Sequence, residues 1–150
     1  MPQVVESIIL NGSIDKAYQL AKDMESYPQF MENVISVKVL KRDKKSTITS
    51  WETKIDGRSI SWKEKDLFND DGYEILYQQL EGDLKKFEGK WDLKEVVQGV
   101  KITLSVEFEF GVAMLAPLLN PILKKKVRSN SKNMLEAIKQ KVETEKRKIY

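Results

Sequence analysis

The spacing of apolar residues changes twice along this chain, and the changes outline its elements. Residues 3–10 (QVVESIIL) are rich in Val and Ile and predict a first strand. Asn11-Gly12 breaks it, and Ser13 is placed to cap a short helix over residues 14–22. A second short helical turn is expected over Glu25–Phe30, with Pro28 near its start. From Val34 the period becomes two. Ile35, Val37 and Val39 alternate with Ser36, Lys38 and Leu40, and Thr47, Thr49, Trp51, Thr53 and Ile55 form one face of the next strand. Asp56-Gly57 marks a hairpin, after which Ile60, Trp62 and Phe68 share a face. Turns at residues 69–72, 81–83 and 98–99 separate three more strands. The last of these alternates most cleanly, with Val100, Ile102, Leu104, Val106, Phe108 and Phe110 on one side.

Six consecutive strands with short turns predict an antiparallel meander with one apolar and one polar face, and such a sheet needs a cover. The C-terminal segment supplies it. Leu119, Leu123, Val127, Met134, Ile138 and Val142 recur at helical spacing and form one stripe of a long helix, with Pro117 and Pro121 near its beginning. Residues 145–150 are expected to fray. The class is therefore α+β. It consists of a curved antiparallel sheet of about seven strands around a long C-terminal helix, with two short helices after the first strand, all in one domain over residues 1–150.

Composition removes several chemistries. The 150 residues include no cysteine and no histidine, which excludes disulfides, thiolate nucleophiles and the commonest metal ligand. No phosphate-binding glycine loop, metal-ligand spacing or activated-serine motif is present, so neither metal nor cofactor is expected. No signal peptide or membrane span is legible, and a cytoplasmic location is the expectation. The net charge of +3 is uneven: residues 124–150 carry ten Lys or Arg against three Glu. Lys124, Lys125, Lys126 and Arg128 can meet an anionic membrane surface or ribosomal RNA, or they can simply form a solvated helix face.

Three segments add a resemblance. Asp23-Met24-Glu25-Ser26-Tyr27-Pro28-Gln29-Phe30 resembles the D-x-E-x-Y-P-x-F segment of the polyketide cyclase/dehydrase family, part of the START-like (SRPBCC) superfamily with its helix-grip fold. Phe87-Glu88-Gly89-Lys90-Trp91 is similar to that family's G-x-W strand, and the Pro117/Pro121 beginning of the last helix also matches. The grouping includes coenzyme Q-binding proteins and ribosome-association toxin A-type proteins. What it implies is a cavity between sheet and long helix that takes a lipid, an isoprenoid quinone, a polyketide or a similar apolar molecule; only some members catalyse a reaction.

Strand alternation then selects the inward side chains, which resemble the positions lining pockets in that family. Trp51, Trp62, Tyr77, Phe87 and Trp91 come from the sheet, and Met134 and Ile138 face them from the helix. Aromatic residues also fill ordinary cores, so either role fits each one. Inward polar residues are more telling, because burial without a partner is costly. Glu64 and Asp66 share parity with Trp62, Gln79 with Tyr77, and Asn130 falls on the helix stripe. These groups either orient a ligand or sit hydrated at a rim. Two carboxyls two apart on one strand face can raise one another's pKa and hold a proton at neutral pH. Aromatase/cyclase relatives carry a cavity arginine at about the place of Asp66, whereas Arg58 lies at the strand's end.

Three functions compete: binding or carriage of a hydrophobic small molecule; polyketide cyclisation or dehydration through Glu64, Asp66, Tyr77 and Arg58; and docking on RNA or a partner through the basic helix.

Overall fold

The computed structural model describes residues 3–55, 58–109 and 116–148, with side chains at 3–54, 59–109 and 124–144. Strand β1 (Gln3–Leu10) leads through Asn11-Gly12 into helix α1 (Ile14–Lys22). Ser13 caps α1, its hydroxyl accepting from the Lys16 N–H at 3.4 Å. A 3-10 turn, Met24–Gln29, follows. It starts earlier than expected and holds Pro28 near its end, because Met24 and Tyr27, three residues apart, both point into the core. Six strands then meander: β2 (Val34–Arg42), β3 (Ser46–Ile55), β4 (Arg58–Asn69), β5 (Glu74–Gly82), β6 (Lys86–Val96) and β7 (Gly99–Glu109). The chain ends in α2, Ala116–Lys148. Pro117 and Pro121 fall in its first two turns; their side chains and those of Leu119 and Leu123 lie outside the described residues, as do the Asp56-Gly57 turn, Phe110 and the side chains of residues 145–150.

All seven strands form one antiparallel sheet in the order β1-β7-β6-β5-β4-β3-β2. The first strand pairs with the last, Val4 opposite Val106 and Leu10 opposite Val100. The inner face of β7 is the most buried in the sheet, with Val100, Ile102, Leu104, Val106 and Phe108 all at 3 % exposure or less. Helix α2 crosses this face. It buries Val127, Ser131, Leu135, Ile138 and Val142, so its stripe runs through Ser131 and Leu135, and Met134 sits on the flank, half-buried. Ile35 departs from the expected alternation. A bulge between Val34 and Ser36 turns it outward, 41 % exposed, while Val34 and Val37 stay inside.

Candidate functional site

The β3–β4 register builds one wall. Trp51 lies directly opposite Trp62, Thr49 opposite Glu64 and Thr47 opposite Asp66. Because side chains alternate, all six face inward, and all six are buried. The two indoles stack 5.5 Å apart with planes 8° from parallel. Phe87 on β6 continues the row at 4.8 Å from Trp62, and Tyr77 on β5 follows at 5.6 Å from Phe87. At the other end Tyr27, from the 3-10 turn, meets Trp51 edge-on at 5.7 Å and touches Trp91 at 6.2 Å. The Tyr27 hydroxyl is held by the Ala21 carbonyl at the end of α1.

Between this aromatic row and α2 is a cavity with about 50 Å³ of free volume. Of the expected site residues, Trp51, Trp62, Glu64 and Tyr77 line it from β3 to β5. Phe87 and Trp91 line it from β6, and Asn130 and Met134 from α2. Asp66 and Gln79 do not. Asp66 is 0 % exposed and lies behind Glu64. Gln79 is turned aside at the bulge opposite Lys63 and Glu64, and its amide donates to the Leu84 carbonyl at 2.6 Å. Thr53, Ile60, Leu104 and Val106 also line the cavity, and strand parity would have found them. Ser131 does too, four residues after Val127 on the helix stripe. Leu84 comes from a turn, where no periodic signal exists.

Tyr77 illustrates how a glycine shapes the wall. Its hydroxyl crosses the neighbouring strand β6 to donate to the Ser105 carbonyl on β7, at 2.7 Å. The residue opposite Tyr77 on β6 is Gly89. A Cβ there would lie 2.6 Å from the Tyr77 oxygen and 1.9 Å from the Ser105 oxygen. Glycine is the residue that leaves this passage open.

The polar core of the site is the Glu64–Asp66 pair. Trp62 Nε1 donates to Glu64 Oε1 at 2.7 Å. Trp51 Nε1 donates to Thr49 Oγ1 at 2.8 Å, and Thr49 Oγ1 in turn donates to Asp66 Oδ2 at 2.7 Å. An indole nitrogen only donates, so the direction of this chain is settled. Thr47 Oγ1 adds a second donor to the same oxygen at 3.0 Å. Burial, together with the neighbouring Asp66, holds Glu64 well above the usual carboxylate range. Asp66 is also raised by burial, but bonds from Glu64, Thr49 and Thr47 pull it back down. Both carboxyls are therefore held above the usual range, Glu64 further than Asp66. Burial raises the Tyr27 and Tyr77 phenols as well, with the two carboxyls adding to it, so both stay protonated.

No lysine or arginine lines the cavity among the described residues. The Arg58 side chain lies outside them. In the basic stretch, Lys124 and Lys125 are exposed, whereas Arg128 donates to Glu6 Oε1 at 2.9 Å and so ties α2 to β1. Among the described residues no group of three or more acidic, His or Cys side chains is placed to hold a metal, and no helix is long and apolar enough to cross a membrane.

A seven-stranded sheet gripping a long helix over an apolar cavity is the arrangement of one large family, and residues 10–135 match its sequence pattern, described as polyketide cyclase/dehydrase and lipid transport. The chain belongs to that family. The ribosome association toxin RatA of Escherichia coli is 25% identical over 111 residues, spanning 73% of this chain and 70% of RatA. Two solved structures share the START-like fold closely. TTHA0849 from Thermus thermophilus superposes with a TM-score of 0.90 at 23% identity, over 95% of this chain and 98% of its own. The ZhuI aromatase/cyclase from a Streptomyces species gives 0.87 at 16% identity, over 94% and 93%. At these identities the polyketide cyclase/dehydrase members establish the fold, and function has to be argued from the site.

Proposed function

We propose that this protein binds and carries a hydrophobic small molecule, of lipid, isoprenoid or polyketide-like character, between the sheet and α2. The observation that carries this reading is a cavity lined by aromatic rings, with Trp51 stacked on Trp62, that nevertheless contains polar atoms without partners, Thr53 Oγ1 and Asn130 Oδ1. A core built only for stability would have filled or paired them. With about 50 Å³ free, the walls must part to admit a whole ligand, and the half-buried Met134 on α2 is the most adaptable side chain on the boundary. A cytoplasmic setting belongs to the same reading.

Gentle native mass spectrometry of freshly purified protein, followed by solvent extraction, is the test. The expected result is an apolar adduct at one per chain. Empty protein that gains no thermal stability from lipid, quinone or polyketide-like molecules would remove the proposal.

Glu64 supports a second reading, a cyclase or dehydratase, because a buried protonated acid at a cavity wall can serve as a proton donor. Unchanged turnover of a poly-β-ketone surrogate by Glu64→Gln/Asp66→Asn protein would exclude it. The relationship to RatA supports a third, docking on ribosomal RNA, for which the exposed Lys124 and Lys125 are the available charges. Such binding would weaken steeply with added salt.

A further inference from the structure

Two buried atoms of the cavity wall lack partners and both can accept a hydrogen bond, and this selects the polar end of the ligand. Thr53 Oγ1 on β3 and Asn130 Oδ1 on α2 both line the cavity, are buried and have no partner, and Thr53 is only 3 % exposed. The Asn130 amide nitrogen donates to Met134 Sδ at 3.8 Å. Turning the amide over would set its oxygen against the sulfur lone pairs, so the bare atom is an acceptor. Glu64 presents the same polarity. Its Oε1 accepts from Trp62, while the neighbouring Asp66 takes two hydroxyl donors at Oδ2 and has a bare acceptor at Oδ1. Thr53 can accept as well as donate, so both bare wall atoms suit a donor on the ligand. The charged and titratable groups around the pair are Tyr77 from β5 and Tyr27 from the 3-10 turn, both neutral phenols, with uncharged Asn130 and Ser131 facing the cavity from α2. Two buried carboxyls thus stand at or behind the wall with no described cation on it.

We infer, on the basis of the binding function proposed above, that the ligand is an apolar, ring-bearing molecule whose polar end is a hydrogen-bond donor, a hydroxyl or amino group. Acceptor-only molecules of the same shape, such as ethers, ketones and quinones, bind less well, and carboxylates are excluded. The rings follow from the stacked Trp51–Trp62 pair and the Phe87 ring tilted against it, a lining that favours flat aromatic or fused-ring partners. The donor follows from the bare Asn130 and Thr53 oxygens.

The chain offers a built-in reporter. Its three tryptophans, Trp51, Trp62 and Trp91, all line the cavity, so the indole N–H signals in a proton–nitrogen NMR spectrum report on this site. Titration with 2-naphthol, 2-methoxynaphthalene and 2-naphthoate at pH 7 compares donor, acceptor and anion on one ring system. The alcohol is expected to bind about tenfold more tightly than its ether, and the carboxylate to shift none of the three signals. Asn130→Leu should bring alcohol and ether to within about twofold; Thr53→Val serves if the first variant loses its dispersed spectrum. An ether that binds as well as the alcohol, or a carboxylate that binds at all, overturns the inference while leaving the binding function standing. No shift with any of the three removes the binding function itself, and the inference with it.

Discussion

Trp51 and Trp62 form a stacked pair whose two N–H groups serve different acids: Trp62 reaches Glu64 directly, and Trp51 reaches Asp66 through the Thr49 hydroxyl. One apolar surface thus organises a polar network behind it. The arrangement follows from the β3–β4 register, which puts the indoles side by side and the acids on the same face two and four residues on.

Replacing Trp62 by Phe keeps most of the stack and deletes one donor. Glu64 Oε1 then lacks its partner, and a loss of about 1–3 kcal/mol in urea unfolding at pH 7 is expected. Because the Trp62 bond lowers the Glu64 pKa, the variant should also hold its proton to a higher pH than the wild type. Carbon-detected NMR of the Glu64 carboxyl checks this.

Glu64 makes stability fall with rising pH. Its pKa is raised by folding, so the native state binds more protons than the unfolded state once pH exceeds the unfolded value of about 4.3. Its favourable contribution is complete below that value and is lost progressively as pH rises toward the folded pKa, at no more than ~1.4 kcal/mol per pH unit. Glu64→Gln, which is neutral at every pH, should show a shallower decline, with Asp66, also raised by burial, keeping its own share. Equal pH slopes for the two proteins in thermal unfolding between pH 5 and 8 would contradict it.

Gly89→Ala should destabilise the sheet severely, by more than about 3 kcal/mol, because the new methyl would meet the Ser105 carbonyl oxygen in the middle of the β6–β7 ladder. Adding Tyr77→Phe should recover little, since the closer clash is with backbone. Chemical denaturation of the single and double variants separates the two contributions.

Two basic residues of α2 should behave differently. Arg128→Ala removes a pair with Glu6, whose side chain is 14% exposed, and should lower stability by roughly 0.5–1 kcal/mol. Lys125→Ala, on an exposed side chain, should fall within about 0.5 kcal/mol of wild type. If the RNA-docking reading holds, the charge reversal Lys124→Glu/Lys125→Glu should abolish cosedimentation with ribosomes at low salt without altering thermal stability.

Much of this architecture is legible in the chain itself. Period-two alternation places Trp51, Trp62, Glu64 and Asp66 on the inner face, and the element order implies the helix-covered sheet. Local pattern does not show what depends on partners distant in sequence. Ile35 reads as inward because a bulge leaves no mark on hydrophobic spacing. Gln79 has the right parity, yet the bulge at Leu80 on its own strand sends it to Leu84. Gly89 stands out as part of a motif, but its reason lies in Tyr77 and Ser105, on two other strands. The narrowness of the cavity is set by how the rings interlock, which composition does not encode.

The pairing of β1 with β7 has a kinetic consequence. Gln3 finds its partner at Glu107, so the last ladder closes a loop spanning most of the chain, and the inner side of β1, including Val4 and Leu10, has no strand to lie beside until residues 99–109 exist. The meander from β2 to β7 can assemble from near neighbours, each strand on the one before it. Closure by the N-terminal strand must come late, after the largest entropic barrier in the topology, and it places this protein among the slower folders for its length.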